Sequence, residues 1–318
     1  MDTLGTAAIR QRVLAAWTAS ASRFREDANA EEELALGAYR DRLVVELAQN
    51  AADAAARGGV DGRLLLRLEG STLLAANTGA PLDAQGVEGL STLRASTKRT
   101  LESGEDEPVG RFGVGFASVL AVADEPAVYS HDGGVRWSRS ETRRVVSGIP
   151  ELTAELARRG TAVPVLRLPF PADAGTTDSV TTDPASRPGP GTAIPNGYDT
   201  AVILPLRDDQ AIATTRELLA AVDDALLLVL PSLSEIIIDS DGERTTFTTT
   251  SPVPIDPPAG IFERTVGPRR WRLAQLTGRA EPDLLVDRPV DERLRPEWSL
   301  AVAVPVHDGH SPDPFGTT

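Results

Sequence analysis

Three polar residues in one short segment carry the most chemical information in this sequence. Glu46, Asn50 and Asp53 stand at i, i+4 and i+7 within residues 41–56, DRLVVELAQNAADAAA. On a 3.6-residue helix that spacing puts all three on one narrow stripe. Leu43, Leu47, Ala51 and Ala54 make a neighbouring apolar stripe that can pack on a sheet. Two carboxylates and a carboxamide beside a packing face are placed to line a polar pocket. There a carboxylate can activate water, and an amide oxygen can complete the shell of a magnesium ion that keeps several waters. Taken alone, Glu-x-x-x-Asn-x-x-Asp is explained equally well by a solvated helix face.

Two later blocks shift that balance. Asn77-Thr-Gly-Ala-Pro-Leu82 directly follows an apolar run at 72–76. Gly110-Arg-Phe-Gly-Val-Gly-Phe116 holds three glycines in six residues and leads into the apolar run 117–123. Such a loop lets backbone approach a ligand closely, with amides free to hold phosphate. It is not a P-loop, because no Gly-Lys-Ser/Thr follows. It also lacks the preceding strand and later acidic residue of a dinucleotide fingerprint.

Taken in order, the three blocks resemble the GHKL ATPases: gyrase, the ninety-kilodalton heat-shock chaperones, histidine kinases and MutL. Residues 46–54, ELAQNAADA, look like that family's N-box. Asn77 to Leu82 occupies the place of its Asp-x-Gly-x-Gly block, and Gly110 to Phe116 matches the glycine loop closing the nucleotide lid. Ser/Thr-Lys-Arg before an acidic stretch, with the short Asn-Thr-Gly block, looks closest to the sacsin-like branch, and the heat-shock chaperones come next. The resemblance covers roughly residues 23–239.

The resemblance implies roles residue by residue. Glu46 matches the catalytic glutamate that orients and deprotonates the water attacking the γ-phosphate. Asn50 matches the magnesium ligand, its amide oxygen joining phosphates and waters in an octahedral shell. Asp53 matches a polar residue near the nucleoside, or else one that orients the loop, and Ala54 a small pocket wall. Asn77 stands where the family has the aspartate that accepts from the adenine amino group. A neutral amide still accepts, but charge-assisted bonds are roughly twice as strong. Gly79 and Leu82 fit the tight turn and the apolar base contact, while Pro81 replaces a usual glycine. Arg94, Ser96, Thr97 and Lys98 lie where the lid approaches the phosphates. Gly110, Arg111, Phe112, Gly113, Val114, Gly115 and Phe116 would supply phosphate-facing amides, with Phe112 and Phe116 as packing anchors. Thr200 resembles the threonine that begins the late strand and supports adenine, and Asp199 before it stands where glycine is common.

The implied ligands are ATP or ADP with magnesium, and the implied reaction is slow ATP hydrolysis in a chaperone-like protein with a protein client or self-association. The alternative is a nucleotide-gated regulatory module with little or no hydrolysis. A histidine kinase is disfavoured, since no phosphoacceptor His stands on a recognisable dimer helix. Beyond residue 260, Arg269, Arg270, Arg293 and Arg295 fall in no motif that assigns them to a γ-phosphate.

Composition narrows the remaining classes. The 318 residues suffice for one large or two medium domains, and 41% hydrophobic with 25% charged residues is ordinary for a globular chain. A formal charge of −14 argues against a broad nucleic-acid surface. Cysteine is absent, which removes disulfides and thiolate metal sites and fits a reducing, cytoplasmic setting. His131, His307 and His310 are scattered, so a histidine metal centre is not expected. No signal peptide or membrane-length apolar run is read.

Along the chain, helices are expected over 6–25 and 31–57, the latter broken at Gly37 and stopped at Gly58-Gly59. Hairpins are expected at 63–76 and from strands 127–131 and 135–139 flanking Asp132-Gly133-Gly134. A helix at 150–159, a strand at 163–168, a strand at 200–206 and a long helix at 209–230 follow, then strands at 234–239 and 244–249. Residues 86–109 read as a mobile lid and 171–196 as a disordered insertion rich in Pro, Thr, Ser, Asp and Gly. The Pro-rich 251–260 marks a boundary, so that 1–250 forms the nucleotide domain. Residues 251–318 are a linker and the start of a β-rich region, with short strands at 270–275 and 300–306, and the chain reads as the amino-terminal piece of a longer protein. This order fits α+β. The resemblance implies a two-layer α/β sandwich of the Bergerat type. Its sheet would be mixed and largely antiparallel, with helices on one face and the nucleotide between helices and lid.

Overall fold

The computed structural model describes residues 2–37, 40–91, 115–172, 194–288, 290–294 and 296–306. Its helices open the chain. The single helix expected over 6–25 is two, α1 (Thr6–Ala19) and α2 (Ala21–Leu36), separated by Ser20 in an extended conformation. The break lets Trp17 and Phe24, both fully buried, meet edge to face at 5.1 Å. Helix α2 ends at Gly37, and a 3₁₀ turn (Arg40–Arg42) leads into α3 (Leu43–Gly58). Gly59 closes α3 with φ 60°, its N–H reaching the carbonyls of Ala55 and Ala56, a left-handed cap that a side chain would strain.

A mixed eight-stranded sheet follows, in the order β5-β4-β3-β6-β2-β1-β7-β8. The hairpin β1 (Gly62–Glu69) and β2 (Thr72–Asn77) lies at its centre, with β3 (Ala127–Ser130), β4 (Gly133–Arg136), β5 (Phe170–Pro171) and β6 (Thr200–Pro205) on one side. On the other side are β7 (Leu233–Ser240) and β8 (Glu243–Thr248). The β1–β7 pair is parallel and the remaining pairs are antiparallel. Helix α3 packs across β1, β2 and β7. Its apolar stripe, Leu43, Leu47 and Ala51, shares one core with Leu64, Leu66, Leu73 and Ala75 on the alternate residues of the central strands.

Several short helices depart from expectation, each for a visible reason. Helix α4 (Ala84–Leu90), capped by the Asp83 carboxylate accepting from the Gly86 N–H at 2.7 Å, takes the first residues of the expected lid. The strand expected to reach 139 stops at Arg136, and α5 (Arg139–Ser147) begins there. Ser138 accepts from the Glu141 N–H, a Ser-x-x-Glu start that was present in the sequence. Helix α6 (Thr153–Arg159) follows a 3₁₀ turn at Pro150–Leu152. No strand forms over 163–168. The buried Glu31 carboxylate accepts the N–H groups of Val165 and Leu166 at 2.6 and 2.9 Å, so those amides are unavailable to a ladder. The long helix expected over 209–230 is two, α7 (Asp209–Ala220) and α8 (Ala225–Val229). The interruption buries Asp224, which accepts from Arg269 at 3.2 Å and Trp271 at 3.1 Å.

Residues 251–260, expected as a linker, contain β9 (Val253–Asp256), the edge of a second antiparallel sheet ordered β12-β11-β10-β9. Proline is tolerated there because an edge strand has an unpaired side. Strands β10 (Ile261–Val266), β11 (Arg269–Arg279) and β12 (Glu297–Val306) complete it, with α9 (Val290–Arg293) before β12. The expected short strands at 270–275 and 300–306 are parts of the ten-pair β11–β12 ladder. Val266 and Leu273 are buried in the same core as Leu227, Leu228 and Leu230. The expected boundary at 250 lies between β8 and β9. Among the described residues no helix is long and apolar enough to cross a membrane.

Candidate functional site

The site is built on α3 and the ends of the central strands. Asn77 closes β2 and Thr200 opens β6, and the two are direct register partners. Thr200 also pairs with Ser130 at the end of β3, and Val202 with Val128. Period-two alternation therefore puts Asn77, Thr200, Val202 and Val128 on the sheet face that looks at α3. Between them lies a narrow cleft of ≈ 70 Å³ whose walls include Asn50, Ala54, Asn77, Leu82, Phe116 and Thr200. Apart from Thr200, these residues come from the three sequence blocks.

Two polar groups in this cleft are unspent. Asn77 is buried and its side-chain nitrogen donates to the Thr78 carbonyl at 3.2 Å, which leaves Oδ1 as an acceptor. The Thr200 hydroxyl is buried without a hydrogen-bond partner among the described residues. A buried orphan hydroxyl costs about 1–3 kcal/mol, so a ligand atom here would recover real free energy. Asn50, half-buried one turn along α3 from Glu46, makes no side-chain hydrogen bond among the described residues.

Glu46 occupies the amino-terminal end of the same helix. Its carboxylate is nearly buried and pairs with Arg42 at 3.2 Å. Burial raises its pKa above the ordinary carboxylate range, and the Arg42 charge pulls it partly back. Gly115 packs directly on this carboxylate: a Cβ there would stand 1.8 Å from Oε2. The third block thus meets the first at its supposed base. Phe116 turns the other way and packs on Trp137 with ring centroids 5.3 Å apart.

The turn after β2 is pressed onto the far end of α3. Gly79 has φ 126°, and a Cβ on it would lie 2.3 Å from the Ala54 carbonyl, while the Ala80 N–H donates to that carbonyl at 2.8 Å. Gly79 is required by this approach and does not line the cleft. Asp53 is buried at 3% exposure and also lies outside the cleft walls. Arg94, Ser96, Thr97, Lys98, Gly110, Arg111, Phe112, Gly113 and Val114 lie outside the described residues. So does Arg295, whereas Arg269 and Arg270 pair with Asp224 and Glu263 on or beside the second sheet.

Sequence reading undervalued Asp199. Its carboxylate accepts the Gly79 N–H at 2.8 Å and meets His131 Nε2 at 3.2 Å, so it fastens the turn to the β6 edge. Ser130 accepts the Leu82 N–H at 3.0 Å and holds the next stretch of the same turn. Arg57, which also lines the cleft, was missed as well. Arg57 continues the Glu46–Asn50–Asp53 stripe one turn further along α3, a spacing visible in the sequence, whereas Asp199 and Ser130 carry no local signal and become neighbours of the turn only through strand pairing.

No family model matches the chain, and neither does any curated protein. Among the described residues no group of three or more His, Asp or Glu could hold a metal by itself.

Proposed function

We propose that the cleft between α3 and the sheet binds an adenine nucleotide in the manner of the GHKL ATPases, and that Glu46 activates water for slow hydrolysis. The observation that supports this most is the Asn77–Thr200 pair. It offers an acceptor and an unpartnered hydroxyl side by side on an otherwise apolar wall of Leu82, Phe116, Val128 and Val202. A flat heterocycle with a donor edge matches that pattern, and an adenine amino group would donate to Asn77 Oδ1. The mixed sheet with α3 against it is compatible with a Bergerat-type sandwich, and residues 86–109 would serve as its lid.

The residues present fit a magnesium nucleotide. Asn50 has an uncommitted amide, and phosphates and waters would supply the other ligands, as suits an ion that dehydrates reluctantly. Held there, magnesium would neutralise charge on the phosphates. Glu46, further along α3, would take the proton of the attacking water, and its raised pKa suits it to that task. Arg42 orients the carboxylate, and Gly115 lets backbone come against it. At ≈ 70 Å³ the cleft is smaller than the about 300–1,000 Å³ of most small-molecule pockets, so binding has to widen it by moving Leu82 and α4.

The Arg42–Glu46 ion pair favours a second reading, a nucleotide-gated module that scarcely hydrolyses, because it engages the carboxylate that the chemistry needs. In either case the nucleotide would drive a sacsin-like or chaperone-like rearrangement acting on a protein client or a second copy. Calorimetric titration with ATP, ADP and GTP, with and without magnesium, tests the binding. Phosphate release from wild type beside Glu46→Gln separates the two readings.

A further inference from the structure

We propose that a second cleft, between the two sheets, is a binding site for a compact oxyanion built on Arg264. It lies at the opposite end of α3 from Glu46, encloses ≈ 540 Å³, and is walled by the Gly59 turn, Ser232, Thr250, Ser251 and Arg264. The proposal does not depend on the nucleotide site.

Arg264 is 7% exposed. Its Nη1 donates to the Leu227 carbonyl at 2.8 Å, its Nη2 to Pro231 at 3.3 Å, and its Nε to Thr250 at 3.3 Å. The Leu227 carbonyl belongs to α8 and the Pro231 carbonyl to the turn after it, and each presents the negative end of a peptide dipole to the guanidinium. Those dipoles fix the guanidinium in place but do not neutralise it. No carboxylate among the described residues pairs with it, although Arg269, Arg270 and Arg272 on the neighbouring strand all have acidic partners. A chain with 46 acidic and 32 basic residues has nevertheless left its most buried β-sheet arginine without one. Burial accordingly lowers its pKa, with no acid to raise it.

Hydrogen-bond capacity points the same way. A guanidinium carries five N–H bonds, and the three contacts above use one on each nitrogen, leaving one on each terminal nitrogen in a residue that lines the cleft. Ser232 and Ser251 make no side-chain hydrogen bonds among the described residues, and the Thr250 hydroxyl accepts from the Thr265 N–H, so its own proton is free. Ser234 and Thr249 already donate to backbone carbonyls. Two charged and three hydroxyl donors thus belong to residues that line one roomy cleft. A carboxylate or phosphate group is the complement of such a set, since it accepts through several oxygens and supplies the missing charge. Asp61, exposed on the same wall, disfavours extended polyanions and selects a compact one.

The test is a titration of the full chain with inorganic phosphate and, separately, acetate, at constant ionic strength in chloride. Backbone amide resonances of Ser232, Thr250 and Ser251 and the Arg264 Nε–H resonance are followed. The expected result is a saturable shift at these positions with at least one of the two anions, and the preferred anion identifies the ligand class. Arg264→Lys should weaken binding by about tenfold or more, as loss of a charge-assisted bidentate contact would. Ser232→Trp, which fills the cleft while leaving the guanidinium in place, should weaken it similarly and decides the matter if Arg264→Lys fails to fold. Absence of a saturable shift with either anion would overturn the proposal, as would wild-type affinity in Ser232→Trp.

Discussion

Thr200 separates a binding role from a structural one. Its buried hydroxyl has no partner among the described residues, so Thr200→Val removes an unsatisfied polar atom and should leave the melting temperature unchanged or raised. The same change should lower ADP affinity by about tenfold, the worth of one hydrogen bond to a ligand. A residue that served only the fold would show the reverse. Glu46 makes a different prediction. Glu46→Gln should cut hydrolysis by about 10²–10⁴-fold with nucleotide affinity held within a few-fold, because a general base acts on water and not on bound nucleotide. Its pH profile follows from the raised pKa. The ionised base is lost as pH falls, so the acid limb of the rate should lie above the ordinary carboxylate range. Arg42→Ala removes the cause that opposes burial and should move that limb to still higher pH. A limb shifted downward would contradict the assigned pairing.

At the scale of elements, two glycines test how α3 is met from either end. A Cβ on Gly115 would collide with the end of the Glu46 side chain, which can swing aside. Gly115→Ala should therefore change stability by no more than about 1 kcal/mol while displacing the carboxylate and abolishing hydrolysis. On Gly79 the collision is with the Ala54 backbone, in a conformation other residues avoid. Gly79→Ala should cost about 1–3 kcal/mol in chemical denaturation and loosen the turn carrying Leu82. Glu31 tests the segment that was expected as a strand. Burial pushes its carboxyl up to about 8 from the usual 4.5, against the Val165 and Leu166 amides and Arg167, which favour the anion, while Asp27 adds to the rise. The native chain then holds a proton that the unfolded chain has released, so stability should fall as pH rises between those values, by up to about 1.4 kcal/mol per unit, and level off above. Glu31→Gln should flatten that slope, as urea denaturation across pH would show. Such long-range partners explain what the sequence could not disclose. Periodicity located α3, the β1–β2 hairpin and β6, because local spacing and turn residues determine them. The segment 163–168, apolar but for Arg167, is as buried as a strand would be, but a carboxylate over a hundred residues away took its amides. The break at Asp224 likewise answers to β11, far along the chain.

Across the whole molecule, the same contrast holds for the site. Asn50, Ala54, Asn77, Leu82 and Phe116 stand in the three blocks and Thr200 was named from the resemblance; α3, the 3₁₀ turn at Phe116 and the Asn77–Thr200 register bring them to one cleft. The parts played by Asp199 and Ser130 were not legible, since their roles arise only where β3, β6 and the Gly79 turn converge. The second sheet shares its core with the first through Val266 and Leu273, so both should melt in one transition, and a chain ended after residue 250 should lose cooperativity as Leu227 and Leu228 become exposed. The most direct measurement of the central claim is calorimetric titration of wild type and Thr200→Val with ADP and magnesium. Adenine recognition through the Asn77–Thr200 edge predicts one site per chain in wild type, about tenfold weaker in the variant, with no loss of thermal stability. Absence of binding by wild type, or equal affinity in both proteins, would contradict it.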